Sequence, residues 1–129
     1  MKSLIDTDLI IRFLVNDDSK KANRVKKLLQ DHRATYMLLD TIMAEIIWVL
    51  ASYYELEKEQ IIEKIRALIH VESISCNQTL LDQSLSIWEN NNISFIDSYM
   101  VATAELNNIP ICSYDKKLDT VKTITRVEP

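Results

Sequence analysis

Apolar residues along this chain recur in short blocks, and the spacing within the blocks switches between strand-like and helix-like periods. Leu4 and Ile5, just before Asp6, read as a short buried strand, and Asp8 is placed to cap a helix over residues 9–14. Ser19 opens a second helix, because Ala22, Val25, Leu28 and Leu29 share one face at the helical period. Residues 34–39 read as strand, and Asp40 is expected to cap a third helix running to about Tyr54. A fourth helix covers 58–69, with Ile61, Ile62, Ile65, Leu68 and Ile69 turned inward.

The second half repeats the alternation. A strand is expected over 71–75, followed by a helix from Asn77 to about Glu89. The asparagine run at 90–92 stops that helix, since asparagine best replaces glycine where the backbone turns left-handed. Ser94 or Ile96 begins a helix through Leu106, ended by Asn107 and Asn108. A strand over 109–114, a helical turn near Leu118 and a last strand around Ile124 follow. Strands separated by helices rather than tight hairpins imply parallel crossovers. The predicted class is α/β: a three-layer sandwich with a central, mostly parallel sheet flanked by helices.

Composition narrows the chemistry. With 129 residues the chain fits a single domain over 1–129, and 47% hydrophobic residues suffice for its core. It contains no glycine, which excludes P-loops, the glycine-rich dinucleotide fingerprint and the nucleophile elbow. Cys76, Cys112, His32 and His70 stand apart from one another, without zinc-ligand spacing. Both cysteines lie in apolar stretches and are expected to be buried free thiols of a reducing compartment. Asp6 interrupts the region where a signal peptide needs its apolar core, and no uncharged run approaches the roughly 20 residues of a membrane span. The expectation is a soluble, cytoplasmic protein with no membrane partner.

The carboxylates carry the candidate chemistry. Ligands of parallel sheets gather beyond the carboxyl ends of strands, where Asp6 and Asp115 fall, although an acid between strand and helix is also an ordinary N-cap. Glu45 sits in a nearly continuous apolar helix, flanked on its own face by Ile42, Trp48 and Val49. An unpaired charge in such surroundings would need a partner, so Glu45 is expected to have a distant salt bridge, to lie on an exposed strip of helix, or to share a cation with other acids. Asp97 lies in the first turn of its helix, where the macrodipole favours negative charge. Brought together, Asp6, Glu45, Asp97 and Asp115 would repel unless a divalent cation compensated, and all-oxygen ligation suits Mg²⁺ or Mn²⁺. Such a site activates water for phosphodiester hydrolysis while a carboxylate accepts the proton. No serine, cysteine or histidine triad competes.

The net charge of −4 argues against generic nucleic-acid binding, but the basic residues are grouped. Lys20, Arg24 and Lys27, with Lys21 and Lys26 beside them, read as a solvated helix face. Lys116, Lys117, Lys122 and Arg126 adjoin Asp115 and are better placed to meet phosphates. Trp48, Trp88 and Phe13 fall on core positions of helices and are expected to pack. Tyr99 and Tyr114, next to acids, are weaker candidates for base contact.

These residues converge on a known family. The chain resembles PIN-domain ribonucleases, most closely the VapC-type toxins of toxin–antitoxin pairs, over essentially its whole length. Leu4-Ile5-Asp6-Thr7-Asp8-Leu9 is similar to the family's first strand, acid and helix. Ala44-Glu45-Ile46-Ile47-Trp48 is similar to its second acidic motif, Phe95-Ile96-Asp97-Ser98-Tyr99 to the third, and Ile111-Cys112-Ser113-Tyr114-Asp115 to the fourth. The resemblance implies a Mg²⁺-dependent endoribonuclease whose metal is held by Asp6, Glu45, Asp97 and Asp115, with Mn²⁺ as a substitute. It also implies supporting hydroxyls at Thr7 and Ser113, RNA contacts at Lys116 and Lys117, a homodimer, and a cognate antitoxin that covers the site. Asp8 stands where most members carry asparagine or serine, and Lys117 where many carry an acid, which leaves Asp8 and Asp119 as candidate extra acids. Two rivals remain at this level: a haloacid-dehalogenase-type phosphatase, since Asp6-Thr7-Asp8 imitates its nucleophile motif, and a non-catalytic metal-binding module of the same fold.

Overall fold

Three short strands, Lys2–Leu4 (β1), Thr35–Met37 (β2) and Ile74–Ser75 (β3), pair in parallel in that order. Lys2 pairs with Thr35 and Leu4 with Met37, while Tyr36 pairs with Ile74. The ladder continues past the strand ends, where Ile5 N–H donates to Met37 O at 3.1 Å and Leu38 N–H to Ser75 O at 2.8 Å. Parallel neighbours need crossover connections, and helices supply them. Thr7–Val15 (α1) and Ser19–Gln30 (α2) link β1 to β2; Asp40–Ser52 (α3) and Lys58–Ile69 (α4) link β2 to β3. A computed structural model describes residues 1–129, in which Met1–Gln78 forms one compact unit and Thr79–Pro129 a second.

Within the first unit α1 packs on α2 and α3, and α3 packs on α4. Their apolar stripes explain why. Ile10 and Ile11 of α1, Met43, Ile46, Ile47 and Leu50 of α3, and all five inward residues expected for α4 are buried. Leu28 departs from the expected α2 stripe and is exposed, leaving Ala22, Val25 and Leu29 as its buried set.

The second unit holds nearly all of Gln78–Asn90 (α5), then Phe95–Asn107 (α6), the strands Ile111–Cys112 (β4) and Arg126–Val127 (β5), and a 3-10 turn at Lys116–Thr120. β4 and β5 pair in parallel. Ile87, Val101, Ala102, Ile111, Leu118 and Val121 are among its core, with Leu80 and Ile124 partly buried against it.

The α/β class, with parallel strands flanked by helices, is as the pattern predicts, but several local expectations change. The parallel strands pair as a three-stranded and a two-stranded ladder. β1 is Lys2–Leu4 with Leu4 exposed, not the buried Leu4–Ile5 expected, and β2, β3 and β4 are shorter than the runs 34–39, 71–75 and 109–114. The last strand begins at Arg126, because Ile124 is spent on packing before it. Asp6, not Asp8, caps α1, and Leu39 precedes α3 with no side-chain cap bond, so Asp40 is its first residue. The asparagine run after α5 needs no left-handed residue; the side-chain amides of Asn90 and Asn91 donate instead to the carbonyls of Ser86 and Ile87. Left-handed backbone occurs at Asn16, Glu55 and Asn108. Cys112 is exposed and Cys76 half-buried, so neither is the buried thiol expected, though both are free. No helix is long and apolar enough to cross a membrane.

Candidate active site

The end of β1 delivers Asp6 to the start of α1. Its extended backbone (φ −90°, ψ 156°) makes it the N-cap, and its Oδ1 accepts from the Thr7 N–H at 2.7 Å. Capping engages one oxygen only and leaves Oδ2 without a hydrogen bond. Thr7 is buried, and its hydroxyl donates to Glu45 Oε2 at 2.8 Å, so the first and second acidic motifs meet directly.

Glu45 itself is exposed, so of the alternatives the sequence left open for it the exposed strip of helix holds. The inward side of α3 is the stripe Met43, Ile46, Ile47 and Leu50, which turns Glu45 and Trp48 outward. Trp48, expected in the core, is 68% exposed for the same reason, whereas Trp88 is buried and Phe13 half-buried. Glu45 therefore needs no counter-charge to offset desolvation, and none is present: neither it nor Asp6 is paired with a lysine or arginine.

Both acids line a cleft of about 410 Å³, together with Thr7, Asp8, Arg12, Asp17, Val49, Tyr53 and Tyr54. Asp8 lies one turn before Arg12, and their side chains approach to 3.5 Å. The Arg12 guanidinium also donates to Asp17 Oδ1 at 3.3 Å, and the Tyr54 hydroxyl donates to Asp17 Oδ2 at 3.0 Å. Asp8 above all, then Asp17, holds the Arg12 pKa above its ordinary value. Burial, followed by the bond to Asp17, pushes the Tyr54 phenol upward. Arg12, Asp17, Tyr53 and Tyr54 were not singled out by sequence reasoning. The Asp8–Arg12 spacing was the one available signal, whereas the helix-end tyrosines reach the cleft only through the packing of α3 on α1.

In the second unit the Ser94 hydroxyl accepts from the Asp97 N–H at 3.0 Å, which places Asp97 in the first turn of α6. The Asp97 carboxylate accepts no hydrogen bond and meets no cation. Asp115 follows β4 and caps the 3-10 turn, its Oδ1 accepting from the Lys117 N–H at 3.0 Å. Ser113 steadies that corner: its hydroxyl accepts from the Asp115 N–H at 2.9 Å, and its carbonyl accepts from Arg126 at 3.0 Å. Arg126, grouped in the sequence with phosphate-facing bases, is turned inward instead. Its guanidinium donates to both oxygens of Asp119 at 2.9 Å and to Glu128 at 2.8 Å. Those bonds hold the Asp119 pKa below its ordinary value and leave that acid the least suited of the six to a metal. Lys116 and Lys117 are exposed.

Neither unit by itself gathers three carboxylate, imidazole or thiol groups around a point. The donor set nonetheless fits a hard divalent cation. Asp6, Glu45, Asp97 and Asp115 each keep a carboxylate oxygen with no hydrogen bond, and none is neutralised by a basic side chain.

Comparison with known proteins gives one strong match. A family model described as the PIN domain fits residues 3–124. No curated protein matches the chain. Among solved structures, VapBC2 from Rickettsia felis bound to a promoter DNA fragment is 13% identical, with 99% of this chain and 98% of that chain covered at a TM-score of 0.42. VapC20 of Mycobacterium tuberculosis, a toxin that cleaves the sarcin–ricin loop, is also 13% identical, covering 93% and 94% at 0.44. A toxin–antitoxin complex from Klebsiella pneumoniae is 12% identical, covering 95% of each chain at 0.36. The assignment rests on the family model, which spans nearly the whole chain.

Proposed function

This chain belongs to the PIN-domain family, and we propose that it is a metal-dependent endoribonuclease, the toxin of a toxin–antitoxin pair. The observation that carries the reading is the acidic cleft of the first unit. There Asp6 and Glu45 share Thr7 as a neighbour, and neither is neutralised. Adjacent carboxylates that no basic side chain neutralises are good ligands of a hard cation.

Asp6, Glu45, Asp97 and Asp115, the acids of the four family-like motifs, would hold Mg²⁺ or Mn²⁺. When bound, the cation supplies a lowered pKa for coordinated water and compensation for charge on the scissile phosphate. The protein's own residues do the rest. Thr7 fixes the Glu45 carboxylate through its hydroxyl, and Ser113 fixes the corner that presents Asp115. A carboxylate of the set accepts the proton of the attacking water. Lys116 and Lys117, exposed beside Asp115, attract the RNA backbone. Asp119 is committed to Arg126 by two hydrogen bonds and is not an extra ligand, whereas Asp8 only approaches Arg12 and keeps an exposed carboxylate. A cytoplasmic site of action, a homodimer and a cognate antitoxin follow from the resemblance to VapC-type toxins.

The test is RNA cleavage by the purified chain. Wild type should cut RNA in Mg²⁺, stop in EDTA, and leave a small phosphomonoester untouched, while Asp6→Asn and Asp97→Asn abolish cutting without loss of fold. Cleavage retained by both variants overturns the proposal, and cation binding without cleavage of any RNA assigns a non-catalytic module instead.

A further inference from the structure

The acidic cleft has one wall that the proposed hydrolysis does not use. Asp6 and Glu45 form the side of the cleft assigned above to the metal, with Asp8, Arg12 and Asp17 beside them. Val49 and Tyr53 supply a neutral stretch at the end of α3. Tyr53 is 77% exposed, yet its ring is not free to wander. It stands edge-on to Tyr54, with centroids 4.9 Å apart and planes at 77°. Tyr54 is in turn anchored through its hydroxyl on Asp17, which Arg12 also holds. An exposed, oriented ring at a helix end beside the cleft suits a flat and uncharged group. Unpaired nucleobases are such groups, and they stack on tyrosine without needing a counter-charge.

We propose that Tyr53 is the stacking platform for one unpaired nucleobase of the RNA bound at this cleft. This rests on the ribonuclease reading above and extends it to a specificity-determining residue. Paired bases are already stacked on their neighbours and gain nothing from the ring, so the platform discriminates between loops and duplex.

The full chain tests it, with a short single-stranded RNA and a hairpin stem as probes. Binding is followed by fluorescence anisotropy in Ca²⁺, and cleavage is followed in Mg²⁺. Tyr53→Ala and Tyr53→Leu should bind the single strand roughly tenfold more weakly, the scale of one lost base stack. Tyr53→Phe should match wild type, and all four proteins should bind the stem alike. In cleavage, the loss should appear in KM rather than kcat. Because Tyr53 is exposed, the melting temperatures should agree, and Tyr53→Leu serves if Tyr53→Ala does not fold. Equal single-strand binding by wild type and Tyr53→Leu, or an equal loss on the stem, overturns the platform. So does a Tyr53→Leu variant that loses self-association alone. A wild type that cleaves RNA with Tyr53-independent KM refutes the platform and leaves the ribonuclease reading standing. A wild type that binds single strands through Tyr53 but never cleaves refutes the hydrolysis and keeps the platform.

Discussion

Thr7 does more than its place inside the first motif indicates. Buried, with its hydroxyl on Glu45, it is the direct link between two acidic positions far apart in sequence. Removing the hydroxyl by Thr7→Val should lower RNA cleavage about 10- to 100-fold, the usual effect of losing a group that orients a metal ligand, while Thr7→Ser keeps most of it. Steady-state kinetics of the two variants checks this, and equal activity would contradict it. The residue scale is also where sequence reasoning was least reliable. The motifs located Glu45, but its surroundings were left open, because an apolar helix with one buried stripe cannot be told from one buried all round. The partners of Arg126 were equally hidden, since they depend on how β5 lies beside the 3-10 turn. That pairing has a pH signature. Arg126 holds the Asp119 carboxyl below its ordinary value, so the native state resists protonation more than the unfolded chain does. Its contribution is therefore present above about pH 4 and lost as pH falls through the lower native pKa. Thermal melts in acid should show a flatter decline for Asp119→Asn than for wild type, and parallel declines would count against the pairing.

Elements were far more legible than their caps. The fourth helix is where the apolar period puts it, at Lys58–Ile69, because its stripe of isoleucines and leucines admits one register. Helix α6 begins after Ser94, one of two starts the sequence left open, and the cap bond to Asp97 N–H explains the choice. Ser94→Ala should cost about 1 kcal/mol in chemical denaturation by removing that bond. The far end of α6 offers a second check. Asn108 sits at φ 52°, a conformation asparagine tolerates and alanine resists. Asn108→Ala should destabilise by about 1 kcal/mol, with Asn108→Gly closer to wild type. Equal stability of the two would show that the left-handed cap is not what ends the helix. Strand lengths were not legible. A run such as 109–114 is apolar enough for a longer strand, yet only Ile111–Cys112 finds a ladder partner, and pairing is a property of two segments rather than one.

For the whole molecule, a chain of net charge −4 that acts on RNA as proposed would need a cation to reconcile the two. The family model spans residues 3–124 and so takes in all four acidic motifs, two in each compact unit. The order of those motifs was readable from the sequence because each is local. The contact that Thr7 makes with Glu45 was not, since no local pattern encodes which helices pack together. The central claim is the proposal that Asp6, Glu45, Asp97 and Asp115 ligate a divalent ion, and calorimetric titration with Mn²⁺ of wild type, Asp6→Asn and Asp97→Asn tests it most directly. The account predicts that each substitution weakens Mn²⁺ binding at least about tenfold, as loss of a ligand does. Unchanged Mn²⁺ affinity in either variant, with the fold intact, would contradict it.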